Sequence, residues 1–183
     1  MEPATIKMRD NKRGFTLIEL LIVIAILGIL AVIILVVMNP GERQAQARDT
    51  GRISSVTQIG RALQAYYTTE SSFPDVANWA NDLVTSGELS TFPAGVAYTY
   101  NSVTACESYL QPLTDGTYCY DEDQANNNGA LIFAKAESTT YRSKCTSPEE
   151  AYFVYSTEDS RGGTICSLGD PVPWAGGSMS YQN

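Results

Sequence analysis

The sequence predicts an α+β fold in which a long amino-terminal helix precedes a small antiparallel β-sheet. Three observations predict it. Residues 15–38 are an almost unbroken apolar run, residues 42–67 carry a one-sided apolar stripe, and strand-like runs are confined to the chain beyond them. With 183 residues there is enough chain for one modest domain and not comfortably for two. The expected organisation is a basic head over 1–14, an apolar helix over 15–38, a helical stem over 39–67 and a β-rich globule over 68–183.

Charge divides the chain in the same way. Twelve Lys and Arg stand against twenty Asp and Glu, a net charge of −8. The head carries Lys7, Arg9, Lys12 and Arg13, whereas the chain beyond residue 61 holds four basic and fifteen acidic residues. An acidic globule argues against a nucleic-acid partner, because such proteins set a basic surface against the phosphates. There is no histidine, which removes the usual general base, every Ser-His or Cys-His pair and every His-ligated metal. No nucleophile–base pair or acidic dyad stands out either, so neither an enzyme nor a cofactor is expected.

The apolar helix comes first. Its 24 residues, FTLIELLIVIAILGILAVIILVVM, include eighteen Leu, Ile, Val or Phe, and only Thr16 and Glu19 are polar. A helix of that length spans roughly 36 Å, against about 30 Å of bilayer hydrocarbon. The aliphatic residues favour insertion by at most roughly 5–11 kcal/mol, whereas one carboxylate opposes it by about 2.5–3.5 kcal/mol. Insertion therefore wins. The run is longer than the apolar core of a secretory signal and no A-x-A site closes it, so it is expected to stay as an anchor. The basic cluster before it predicts a cytoplasmic amino terminus and an outward-facing acidic bulk.

The stem follows an interruption at Asn39-Pro40-Gly41, where proline lacks the amide hydrogen a helix needs. Beyond it Ile53, Val56, Ile59, Leu63 and Tyr66 recur at helical steps, with Arg48, Arg52, Gln58 and Gln64 expected on the opposite face. That stripe is expected to pack under the sheet.

In the globule, Asp75 is placed to cap a short helix carrying Val76, Trp79 and Leu83 and ending near Gly87. Strands are predicted at Val96–Val103, Thr117–Tyr120, Ala130–Ala136 and Tyr152–Ser156, and the Gly-, Pro- and Ser-rich stretch 162–183 is read as irregular. Cys106, Cys119, Cys145 and Cys166 all follow the membrane segment, which favours two disulfides. Sequence order suggests Cys106–Cys119 and Cys145–Cys166, with the other two pairings open. A zinc site of all four thiolates lacks any C-x2-C pair. Ser138-Thr139-Thr140 is a candidate glycan site, although a non-specific one.

Lys12-Arg13-Gly14 followed by Phe15-Thr16-Leu17-Ile18-Glu19-Leu20-Leu21-Ile22-Val23 resembles the prepilin-type signal of type IV pilins and type II secretion pseudopilins. The resemblance is dense over about 25 residues. It implies that a membrane peptidase cuts between Gly14 and Phe15 and methylates the new amino terminus, and that Glu19 docks the Phe15 α-amine of a neighbouring subunit. Tyr66-Tyr67 and Phe73-Pro74 resemble the helix exit of the same family, and a glycine near Gly28 belongs there to a stretch that loses helicity in filaments. Many members place a proline where this chain has Val36. Asp121, Glu122, Asp123 and Asn126–Asn128 form an oxygen-rich loop that resembles the calcium loop of some pseudopilins, although a solvated turn explains it more simply.

The implied function is that of a structural subunit, polymerised through its amino-terminal helix into a type IV pilus-like filament. The implied partners are copies of itself, the prepilin peptidase, an inner-membrane assembly platform and, before assembly, the lipid bilayer. The precursor is expected in the inner membrane and the filament in the periplasm or outside the cell. A pseudopilin of a type II secretion or DNA-uptake system is the alternative, and a membrane-tethered binding domain that never polymerises is the remoter one.

Overall fold

The computed structural model describes residues 14–101, 103, 117–123, 129–171 and 179–182. The chain divides into two units, with the boundary between Asn39 and Pro40. The first holds helix α1, Leu17–Val37. The second holds α2 (Pro40–Glu70), α3 (Trp79–Thr85), β1 (Cys119–Glu122), β2 (Ala130–Lys135), α4 (Thr139–Arg142), β3 (Glu150–Ser156), β4 (Arg161–Ser167) and β5 (Tyr181–Gln182). The fold is α+β, as the sequence predicts.

Both long helices end where their chemistry dictates. Asn39, between them, has a left-handed backbone with φ of 39°, which asparagine tolerates better than most residues. Pro40 then opens α2, where a missing amide hydrogen costs nothing. At the far end Ser71 is left-handed and the chain turns back, stacking Phe73 on Tyr67 at 4.6 Å. The Tyr120 hydroxyl donates to the Pro74 carbonyl at 2.8 Å and ties this exit to the sheet.

The five strands form an antiparallel meander in the order β1-β2-β3-β4-β5. Val56, Ile59 and Leu63 of α2 are buried against one face of the sheet together with Trp79 and Leu83 of α3 and Tyr120 and Ile132. Gly60 permits the close approach. A Cβ there would fall 2.2 Å from the Tyr155 ring. Leu131, Phe133, Tyr152, Val154 and Ile165 form a second cluster, with Met179 and Tyr181 packed against it. Every residue of β2 is consequently buried.

Three sequence expectations are corrected. The strand expected at 96–103 is not one. Residues 96–99 are irregular, and their main-chain groups serve a charge cluster instead of a neighbouring strand. The tail expected to be irregular contains β4 and β5, because β3 supplies a hydrogen-bonding edge along which Arg161–Ser167 pairs residue for residue despite Gly162 and Gly163. Arg52, expected on the solvent face, is fully buried.

Arg52 sits between two buried carboxylates. Its Nη1 donates to Asp49 Oδ1 at 2.7 Å and to Glu137 Oε2 at 3.0 Å. Its Nη2 donates to the carbonyls of Val96 and Ala97, and its guanidinium lies 3.9 Å from the centre of the Tyr98 ring. Arg48 grips Glu137 through two bonds of 2.9 Å. Asp49 accepts the amides of Glu137 and Ser138, and Glu137 accepts those of Thr99 and Tyr100. One cluster therefore binds α2, the end of β2 and the 96–100 segment together. Outside it, the Glu42 carboxylate accepts the Thr139 and Thr140 amides at the start of α4. Ser138 is fully buried, which closes the first position of the candidate glycan site.

Cys145, just after α4, is joined to Cys166 in β4 by a disulfide. Cys119 is disulfide-bonded as well. Cys106, suggested by sequence order as its partner, lies outside the described residues.

Three outcomes can be expected from these ties. Burial pushes the Glu137 carboxyl up, but Arg48, the Thr99 amide and Arg52 outweigh it and hold it down at about 2, against an ordinary 4.5. A carboxyl depressed in the folded state stabilises above its unfolded value, so that stability should drain away as pH falls from about 4.5 towards 2. Arg52→Leu leaves Asp49 buried without its cation and Glu137 with Arg48 alone, and should cost about 3–5 kcal/mol in a denaturant titration at neutral pH. Replacing Cys145 and Cys166 together by alanine should lower stability by about 2–4 kcal/mol in the same titration.

Candidate assembly site at the amino-terminal helix

The residues singled out by the sequence motif lie at the start of α1. Gly14 and Phe15 precede the helix and are exposed, Phe15 to 86 %. Thr16 is the N-cap of α1, with an extended backbone and its hydroxyl accepting the Glu19 amide at 3.3 Å. Glu19 returns the bond. Its Oε2 accepts the Thr16 amide at 2.8 Å and the Thr16 hydroxyl at 2.7 Å. This is a capping box, in which the first turn satisfies two of its own free amides. Sequence reasoning weighed Glu19 alone and missed Thr16, although the Thr-x-x-Glu spacing ahead of an apolar run is the signal for such a box.

Beyond that turn α1 offers only apolar side chains. None of its 21 residues is buried, and from Leu17 to Val37 each large aliphatic side chain is about half exposed or more. By length and composition it is able to cross a membrane. Gly28 leaves the helix unbroken, and a Cβ on it would meet nothing within 4 Å. No contact among the described residues requires a glycine there.

The other expected site residues lie elsewhere. Asp121 and Glu122 end β1, and the Asp123 amide donates to the Gly129 carbonyl at 3.1 Å. Asn126–Asn128, the rest of the oxygen-rich loop, lie outside the described residues. Among the described residues no group of three or more Cys, Asp or Glu side chains is arranged to hold a metal ion. The Cys145–Cys166 bridge lies in the second unit, at the sheet.

Comparison with known proteins adds two findings. The family described as "Prokaryotic N-terminal methylation motif" matches residues 9–35. The chain is 33 % identical over 104 residues to the type II secretion system core protein G of Escherichia coli strain K12. That alignment covers 57 % of this chain and 65 % of the relative, so the chain spans about two thirds of the relative's length. No solved structure matches the chain. The chain thus carries the prokaryotic N-terminal methylation motif and is similar, over just under two thirds of that relative's length, to a type II secretion core protein.

Proposed function

We propose that the chain is a structural subunit made as a prepilin, cut between Gly14 and Phe15, methylated on Phe15 and polymerised through α1 into a type IV pilus-like filament. The observation that carries this reading is that α1 buries nothing within its own chain. Fully burying a large aliphatic side chain is worth about 1.5–3 kcal/mol, and residues 15–38 hold eighteen aliphatic or Phe side chains. Water is untenable for such a helix. Lipid before assembly and the same helices of neighbouring copies after it supply the two environments it needs.

The capping box fits this passage between environments. A cut after Gly14 frees the Phe15 amine one residue before Thr16, beside the carboxylate that already closes the first turn. Glu19 engages its neighbours through Oε2, which leaves Oε1 to receive the Phe15 amine of a copy displaced along the filament. The basic cluster at Lys7, Arg9, Lys12 and Arg13 holds the leader in the cytoplasm, where the peptidase and the assembly platform would act.

The second reading is a pseudopilin of a type II secretion or DNA-uptake system, and the secretion role is favoured by the similarity to the Escherichia coli type II secretion protein. Both readings share the cut, the anchor and polymerisation, and differ in filament length and task. Secretin and retraction-motor genes beside this one favour the pilus, and a cluster of secretion pseudopilin genes favours the second reading.

Two measurements check the shared chemistry. Mass spectrometry of the protein from processing-competent cells should find a chain beginning at N-methylated Phe15. A chain beginning at Met1 in those cells would leave only a tethered ectodomain. Glu19→Leu should insert into the membrane normally but assemble poorly or not at all, read as sheared filaments per cell. Unchanged assembly would remove Glu19 from the docking role.

A further inference from the structure

A cleft of about 420 Å³ runs along α2 beside the β3–β4 hairpin, lined by Thr57, Arg61, Tyr155, Ser160, Arg161 and Thr164 among others. Arg61 comes from the middle of α2 and Arg161 is the first residue of β4, so the fold brings together two cations a hundred positions apart. Both are exposed, and the ion pairs of the described residues include neither. The Arg161 guanidinium lies over the Tyr181 ring at 4.3 Å, which holds its position without neutralising it. The chain beyond position 61 has four basic and fifteen acidic residues, so two exposed arginines on one cleft, both outside the ion pairs of the described residues, give this face a locally positive character.

Matching negative charge lies at the other side of the same sheet. β1 is the edge strand opposite the β4–β5 side, and Glu122 is its last residue. Burial pushes the Glu122 carboxyl up; the Val76 amide opposes this, and the charges of Asp75 and Asp121 push it up further. Asp75 accepts the Ala77 amide at 2.7 Å, and the ion pairs of the described residues include neither Asp75 nor Glu122. Like charges crowd at this corner, and a cation arriving from outside would relieve them.

We propose that the Arg61–Arg161 cleft receives the Asp75–Glu122 corner of a second copy of this chain. The two surfaces lie at opposite edges of one sheet, so the contact is head-to-tail, and each copy that docks presents a fresh cleft to the next. Such contacts propagate without closing unless the rotation between copies makes a ring. The inference rests on the filament reading and deepens it. The apolar helices supply cohesion, and this contact sets which face of one globule meets the next.

The test uses the full chain in cells that process it. Arg61→Glu with Arg161→Glu should lower filament yield about tenfold or more, because like charges then face each other across the contact. Asp75→Lys with Glu122→Lys should do the same, and the fourfold swap should restore most of the yield. In an otherwise unaltered chain, Thr57→p-benzoylphenylalanine should photo-crosslink to peptides around residues 75–77 and 121–122 of another copy. Undiminished yield in the arginine reversal overturns the contact while leaving the filament reading intact. So does a crosslink that maps elsewhere, or to lipid. Processed wild-type chain that forms no filaments defeats the filament reading itself, and absence of the crosslink in that material overturns the contact with it.

Discussion

Arg52 is the residue on which the globular unit depends. A guanidinium taken out of water is tolerable only when its charge is balanced, and here Asp49 and Glu137 balance it while they and two backbone carbonyls take its Nη donors, the Nε staying without a partner among the described residues. The carboxylates are in turn saturated by backbone amides from two distant segments. The cluster therefore fixes where the chain after α3 must run and where β2 must end. An apolar patch of equal size would bury the same surface without specifying those directions. The rest of the sheet is packed onto α2 from that fixed point, down to the contact of Gly60 with Tyr155.

The two units solve opposite problems. The second pairs its buried charges internally and buries apolar residues on both faces of the sheet. The first satisfies only its polar tip, through Thr16 and Glu19, and leaves its whole apolar surface to other molecules. A chain organised this way is incomplete by design, since one end folds against itself and the other folds against its surroundings. That division coincides with the amino-terminal match, which covers residues 9–35 and so falls on the unit that stays unburied.

How much of this was legible in the sequence follows from how local each signal is. The apolar run, the Asn39-Pro40 break, the α2 stripe and the apolar strands β2 and β3 are written in consecutive residues, and α1, α2, β2 and β3 appear where they were expected. The buried cluster was only half legible. Asp49 and Arg52 sit three apart on one helix and suggest a pair, but Glu137 lies 85 positions further on and nothing in its neighbourhood announces the partnership. Residues 96–99 read as a strand because Val, Tyr and Thr alternate there; their hydrogen bonds go to Glu137 and Arg52 instead. β4 reads as a loop because of its glycines, and it becomes a strand because β3 is there to pair with it. Of the candidate site, the carboxylate was legible and its threonine partner was passed over.

The bridge from Cys145 to Cys166 carries a consequence for timing. Cytosolic glutathione and thioredoxin keep such thiols apart, so on the proposed topology this covalent lock closes only after translocation. The newly made polypeptide is then a softer body on one side of the membrane and a hardened one on the other. On that topology the rate at which the bridge closes outside sets how long the softer form persists.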